Sequence, residues 1–113
     1  MKILASASYQ LKTSNITLGN TPATQYMWYD GDTWVARLNT FDWWDGLNIE
    51  DLEINPDYRG KGLSYKLLDF ATKKLGAKNL AVAKDNTIAK HVYDKYGFEV
   101  TDEDNDYYYM SIK

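Results

Sequence analysis

From Gly62 to Leu75, the apolar residues Leu63, Leu67, Leu68, Ala71 and Leu75 fall on one helical stripe, and Gly76 follows where a C-terminal cap is needed. Upstream the spacing is that of strands. Gln25–Asp30 and Thr33–Phe41 are rich in aromatic and β-branched residues and flank Asp30-Gly31-Asp32, which predicts a hairpin. Trp43-Trp44-Asp45-Gly46 reads as a second turn. Leu47–Ile54 then alternates, with Leu47, Ile49 and Asp51 expected on one face and Asn48, Glu50, Leu52 and Ile54 on the other. Asn55-Pro56-Asp57 ends that strand, because proline cannot donate to a ladder. Downstream, Asn79–Ala83 reads as a short strand. Thr87–Tyr96 reads as a helix with Ile88, Ala89, Val92 and Tyr96 toward the core, capped by Asp85 or Asn86 and closed by Gly97. Phe98–Val100 and Tyr107–Ile112 close the chain as strands around an acidic turn at 102–106. Met1–Tyr9 and Ile16–Leu18 read more weakly as strands. Strands, helix, strand, helix and two strands predict an α+β fold, a mixed sheet with helices packed on it.

The length of 113 residues suits one domain spanning 1–113, and 44% hydrophobic content suffices for a core. There is no cysteine, which excludes disulfides, thiolate zinc sites and a cysteine nucleophile. A single histidine, His91, rules out a histidine-rich metal site, and no metal is expected. His91 lies off the apolar stripe and is expected in solvent. No stretch approaches the roughly 20 apolar residues of a membrane span, and the N-terminus is too polar for a signal peptide. A soluble, cytoplasmic protein with no membrane partner is the expectation. Net charge is −3, unevenly spread: residues 30–57 hold eight acids and one base, residues 58–95 nine bases and three acids. The basic segment suits an anionic ligand and the acidic flanks a cationic one, although solvated helix faces account for most of the lysines. With net negative charge and no recognition motif, nucleic acid is not an expected partner.

The segment Asn55-Pro56-Asp57-Tyr58-Arg59-Gly60-Lys61-Gly62-Leu63-Ser64 joins a strand end to a helix start. Gly60 and Gly62 remove side chains that would keep an anion from the backbone. The first helical amides are unpaired donors at the positive end of a dipole. A Rossmann fingerprint would need glycine where Tyr65 stands, and a P-loop would need Gly-Lys-Ser/Thr where Gly62 is followed by Leu63. A second cluster, Asn86-Thr87-Ile88-Ala89-Lys90-His91-Val92-Tyr93-Asp94-Lys95-Tyr96-Gly97-Phe98, begins 24 residues after Gly62.

Arg59-Gly60-Lys61-Gly62-Leu63-Ser64 resembles the Q/R-x-x-G-x-G/A pyrophosphate loop of the GNAT acyltransferases. The second cluster is similar to their N-x-x-A-x-x-x-Y-x-x-x-G-F segment, and residues 47–113 resemble the family as a whole. The resemblance implies a twisted, largely antiparallel mixed sheet with two helices, and acetyl-CoA as the coenzyme. It implies that amides of Arg59, Gly60, Lys61, Gly62, Leu63 and Ser64 hold the pyrophosphate. Leu52, Glu53 and Ile54 would offer backbone to the pantetheine arm, Asn86 would bind that arm, and Tyr93 would sit at the thioester sulfur. Ser64 departs from the usual glycine or alanine but remains small.

The implied activity is acetyl transfer to a primary amine by direct attack in a ternary complex. A main-chain donor near Ile54 would stabilise the carbonyl oxygen, and Tyr93 would donate a proton to the thiolate. The base candidates are Glu50, Asp51 and Glu53, among which the residues do not choose. Glu50 is expected on the face of Leu52 and Ile54, with Glu53 opposite. The family's carboxylate on the next strand is replaced by Ala81. Tyr26, Trp28, Tyr29, Trp34, Trp43 and Trp44 either line an acceptor pocket or, for most of them, pack the sheet. Two helices usual between the family's first two strands have no counterpart here, so the acceptor site is open or completed by a partner, which gives reason to suspect a homodimer. The alternative reading is a non-catalytic coenzyme-binding or protein-interaction module on the same fold.

Overall fold

The computed structural model describes residues 9–113. Seven strands form one sheet: β1 (Gln10–Leu18), β2 (Thr21–Asp30), β3 (Thr33–Trp43), β4 (Gly46–Ile54), β5 (Asn79–Ala83), β6 (Glu99–Glu103) and β7 (Tyr107–Ser111). Their spatial order is β1-β2-β3-β4-β5-β7-β6. Every neighbouring pair is antiparallel except β4 and β5. The fold is therefore the mixed, mostly antiparallel sheet that the sequence predicts. Apart from Tyr9, the strand expected at Met1–Tyr9 lies outside the described residues. The one expected at Ile16–Leu18 is the end of the longer β1. A tight turn at Gly19-Asn20 joins β1 to β2, so no helix pair intervenes there.

The helix expected from Gly62 to Leu75 begins as α1 (Leu63–Asp69) and widens into a π-helical turn at Phe70–Lys74. The wider turn lets Phe70 reach the sheet, where it meets Tyr26 and Trp28 edge-on, each at a ring separation of 5.3 Å. Thr72 donates its hydroxyl to Leu68 O at 2.8 Å, a local bond that competes with regular α-helical pairing. The second helix, α2 (Thr87–Tyr96), starts at the Asn86 cap, whose side chain accepts from Ala89 N, and stops at Gly97. Both helices pack on one sheet face over Trp28, Leu38, Leu80 and Met110, all buried. Among the described residues no helix covers the opposite face, and no helix is long and apolar enough to cross a membrane.

The two helices are tied together by Tyr96. Its hydroxyl donates to Asp69 Oδ1 at 2.5 Å and lies 3.0 Å from the Thr72 hydroxyl, and its ring stacks on Tyr65. The bond holds the Asp69 carboxyl below its ordinary range, while burial, reinforced by Asp69, raises the Tyr96 phenol. Tyr96→Phe should cost about 1 kcal/mol and lower Tm by about 4–8 °C. Thermal melts of the two proteins check this. An unchanged Tm would mean that the clamp carries no net stability.

Candidate active site

β4 and β5 pair only at Asn48↔Asn79 and Ile49↔Leu80, then separate. The remaining edge of β4 therefore faces a V-shaped gap. Asn55 N–H donates to Val35 O on β3, so by strand alternation Ile54 and Leu52 turn their N–H and C=O groups toward the gap. Of these, Ile54 O is already engaged by Arg59 Nε at 3.2 Å.

A cleft of about 560 Å³ fills the gap on the helical side. Its walls bring together Leu52, Glu53 and Ile54 from β4, Arg59, Gly60, Gly62, Leu63 and Ser64 from the turn, and Asn86 and Tyr93 from α2. Of the expected coenzyme residues only Lys61 is absent from the lining. Its ammonium lies over the Tyr58 ring, 5.8 Å from the centroid. Gly60 and Gly62 have φ of +79° and +74°, which L-residues adopt at a cost, and a Cβ at either would project into open space. The first helical bond within α1 reaches back from Lys66 N to Gly62 O at 3.4 Å, and no side chain caps the helix start. The turn thus offers bare backbone and free amides to the cleft.

Tyr93 is buried, at 8% exposure, yet borders the cleft. Burial, with the Asp51 carboxylate adding to the effect, pushes its phenol up to about 12.

Two sequence expectations need correction. Along β4, Thr40 pairs with Ile49 but Asn39 pairs with Asp51, so Glu50 is an extra, bulged residue. The bulge resets the alternation. Ile49 joins Leu52 and Ile54 on the core face, and Glu50 leaves that face to accept a hydrogen bond from Asn39 Nδ2 at 3.3 Å. Arg37 sits beside Asn39, with its Nε 2.9 Å from Asp51 and its Nη2 3.2 Å from Glu53. Of the three carboxylates, Glu50 alone has no cationic partner here and lines the open-face cleft described below. The second correction concerns Ile88. It is 80% exposed and lines the same cleft as the Gly60–Gly62 turn, while Tyr93 is the buried residue of α2.

Tyr58, Tyr65, Ala89 and Val92 also line this cleft, although the sequence assigns none of them a coenzyme role and reads Ala89 and Val92 as core residues. Tyr65 had a signal, as the bulky residue standing where a dinucleotide fingerprint needs glycine. On the open face a second cleft, of about 800 Å³, runs from Trp43 and Trp44 past Glu50 and Ala81 to Tyr109. Tyr26 and Trp28 instead pack the core, as sheet packing predicts. His91 is exposed. No three His, Cys, Asp or Glu side chains among the described residues group to hold a metal.

The sequence model of the acetyltransferase (GNAT) family matches residues 4–98. The protein belongs to the GNAT acetyltransferase family. A streptothricin acetyltransferase from Streptomyces lavendulae is 37% identical over 75 residues, 61% of this chain and 40% of that enzyme. The chain therefore matches less than half the length of that relative. Among solved structures, a PaiA N-acetyltransferase from Thermoplasma acidophilum in complex with coenzyme A superimposes with a TM-score of 0.66. It is 22% identical, and the match covers 80% of this chain and 60% of that one. A Bacillus subtilis acetyltransferase in complex with CoA gives a TM-score of 0.68 at 15% identity, covering 92% of this GNAT chain and 99% of that one. The second match shows a solved acetyltransferase chain almost coextensive with this small fold.

Proposed function

We propose that this GNAT protein transfers an acetyl group from acetyl-CoA to a primary amine, without a covalent enzyme intermediate. The observation that carries the reading is the gap between β4 and β5, which joins the bare amides of the Gly60–Gly62 turn to the Tyr93 phenol in one cleft. The residues fit the coenzyme: positive-φ glycines with open space at Cβ suit a diphosphate, and the free edge of β4 suits an extended amide-bearing arm.

When bound, acetyl-CoA supplies a thioester whose carbonyl accepts the amine and whose sulfur departs as thiolate. Gly60, Gly62, Leu63 and Ser64 would hold the diphosphate by main-chain N–H groups, and Asn86 would orient the arm. The Leu52 N–H faces the gap next to Asp51, the carboxylate that acts on Tyr93. It is therefore a better placed donor for the carbonyl oxygen than Ile54, two residues further along. Tyr93 at about 12 stays protonated at neutral pH. Complete transfer to a thiolate of ordinary pKa, roughly 8.5, would be uphill by about 3.5 units or ~5 kcal/mol. Tyr93 therefore acts by donating a hydrogen bond to the leaving sulfur. Glu50, across the bulge on the acceptor side, takes the amine's proton directly or through water. Glu53 is held by Arg37 and is the weaker candidate.

Native mass spectrometry with acetyl-CoA, run beside a thiol-release assay over a panel of primary amines, tests the reading. One coenzyme per chain and amine-dependent thiol release are expected. Stoichiometric binding without release on any amine would leave a coenzyme-binding module, and no binding would remove the reading entirely.

A further inference from the structure

The open-face cleft carries chemistry that amine acetylation alone does not require. Its lining contains five aromatic residues and three carboxylates and no lysine or arginine. Phe41 and Trp43 meet edge-on at 6.2 Å, and Trp43 and Trp44 are 55% and 87% exposed. On the opposite wall, Tyr107 and Tyr109 lie 6.5 Å apart. The Tyr109 ring is set in place from behind: its hydroxyl donates to Asp104 Oδ2 at 2.6 Å, and Asp104 Oδ1 accepts from Asp106 N and Tyr107 N. Asp45 is likewise fixed, accepting from Asn48 Nδ2 at 2.9 Å. Between the walls, Ala81 leaves only a methyl group on the floor. The Tyr109 wall is therefore set before any ligand arrives, and the charged groups of the lining are all carboxylates.

We propose that this cleft selects an acceptor carrying a second cationic group: the reacting amine lies at Glu50, and the distal cation rests against the aromatic walls near Asp45 or Asp102. This rests on the acetyl-transfer reading above and adds the class of acceptor to it. Aromatic faces attract an ammonium through their quadrupole, and uncompensated carboxylates add to the attraction. An uncharged chain end gains from the apolar contact alone. A carboxylate end meets a wall of its own sign.

Three acceptors that share a reacting primary amine on a five-carbon chain and differ at the far end separate these terms: 1,5-diaminopentane, 5-aminopentan-1-ol and 5-aminopentanoate. The diamine should show kcat/KM roughly tenfold above the amino alcohol, with the amino acid lowest. Asp102→Asn and Trp43→Ala should each narrow the diamine preference toward unity. Tryptophan fluorescence titrated with the same three compounds, without coenzyme, reads the cleft independently of turnover. Saturable binding of the diamine, weakened by Asp102→Asn, supports the cleft even if no acetyl transfer occurs, and in that event only the enzymatic reading fails. Equal responses to diamine and amino alcohol in both measurements would overturn the proposal. So would a concentration-dependent dimer that buries Trp43 and Trp44 and abolishes the titration, because the face would then be covered by a second copy.

Discussion

Gly62→Val should weaken coenzyme binding about a hundredfold while leaving a folded protein. The glycine sits at φ +74°, and a side chain there would point into the space where the diphosphate is proposed to lie. Losing one or two charge-assisted bonds at roughly 1.5–3 kcal/mol each gives about 3 kcal/mol, which is the hundredfold. The variant also carries backbone strain of about 1–2 kcal/mol, which lowers stability but does not by itself touch affinity. Gly31 separates the two effects. It has φ +61° with open space at its Cβ, in the β2–β3 turn and outside the coenzyme cleft. Gly31→Val should lower Tm by a similar amount with the dissociation constant for coenzyme A unchanged. Calorimetric titration beside thermal melts reads both quantities. If Gly62→Val lost stability but kept wild-type affinity, the turn would not be the diphosphate cradle.

Tyr93→Phe is expected to lower kcat by roughly a hundredfold or more, with little change in coenzyme affinity. Burial and the Asp51 charge, not a hydrogen bond, shift this phenol, so removing the hydroxyl orphans no partner and Tm at neutral pH should hardly move. The pH dependence gives a second check. With the phenol at about 12, the donor stays protonated across the usual assay range. A primary amine of ordinary pKa near 10.4 is only about one part in a thousand neutral at pH 7.4. Wild-type rates should therefore climb from pH 7 to about 10 without a falling alkaline limb from Tyr93. Stability runs the other way. The unfolded phenol titrates near 10 and the folded one near 12, so this stability is full below pH 10 and is lost between 10 and 12. The two units correspond to about 3 kcal/mol at most. Tyr93→Phe should blunt that alkaline loss. A variant with wild-type kcat would remove the phenol from the chemistry.

The bulge at Glu50 matters for the proposed reaction because it sends Glu50 and Leu52, which strict alternation would put on one face, to different sides. Leu52 keeps its backbone on the coenzyme gap, while Glu50 reaches the open face where an acceptor would lie. Strict alternation would have put Glu50 beside Ile54 on the core face, where an unpaired carboxylate is costly. The extra residue relieves that conflict and places Glu50 and the cleft at the Gly60–Gly62 turn on opposite sides of one strand.

Much of the molecule was legible in the chain because its signals are local. The apolar stripe from Leu63 to Leu75 and the caps at Asn86 and Gly97 each specify a helix within a few residues. Asn55-Pro56 and Asp30-Gly31 end strands by backbone chemistry alone, and the two glycines of the turn mark its positive-φ backbone by what they lack. The bounds of α2 and β5 follow from such signals. The Glu50 bulge, the π turn at Phe70–Lys74 and the exposure of Ile88 did not. A bulge is set by how β4 registers against β3, and a π turn by the fit of Phe70 against Tyr26 and Trp28. The gap between β4 and β5 is likewise a matter of pairing that stops after two residues. The open-face cleft needed the tertiary structure most, because its walls come from strands some sixty residues apart whose outward side chains carry no shared periodicity.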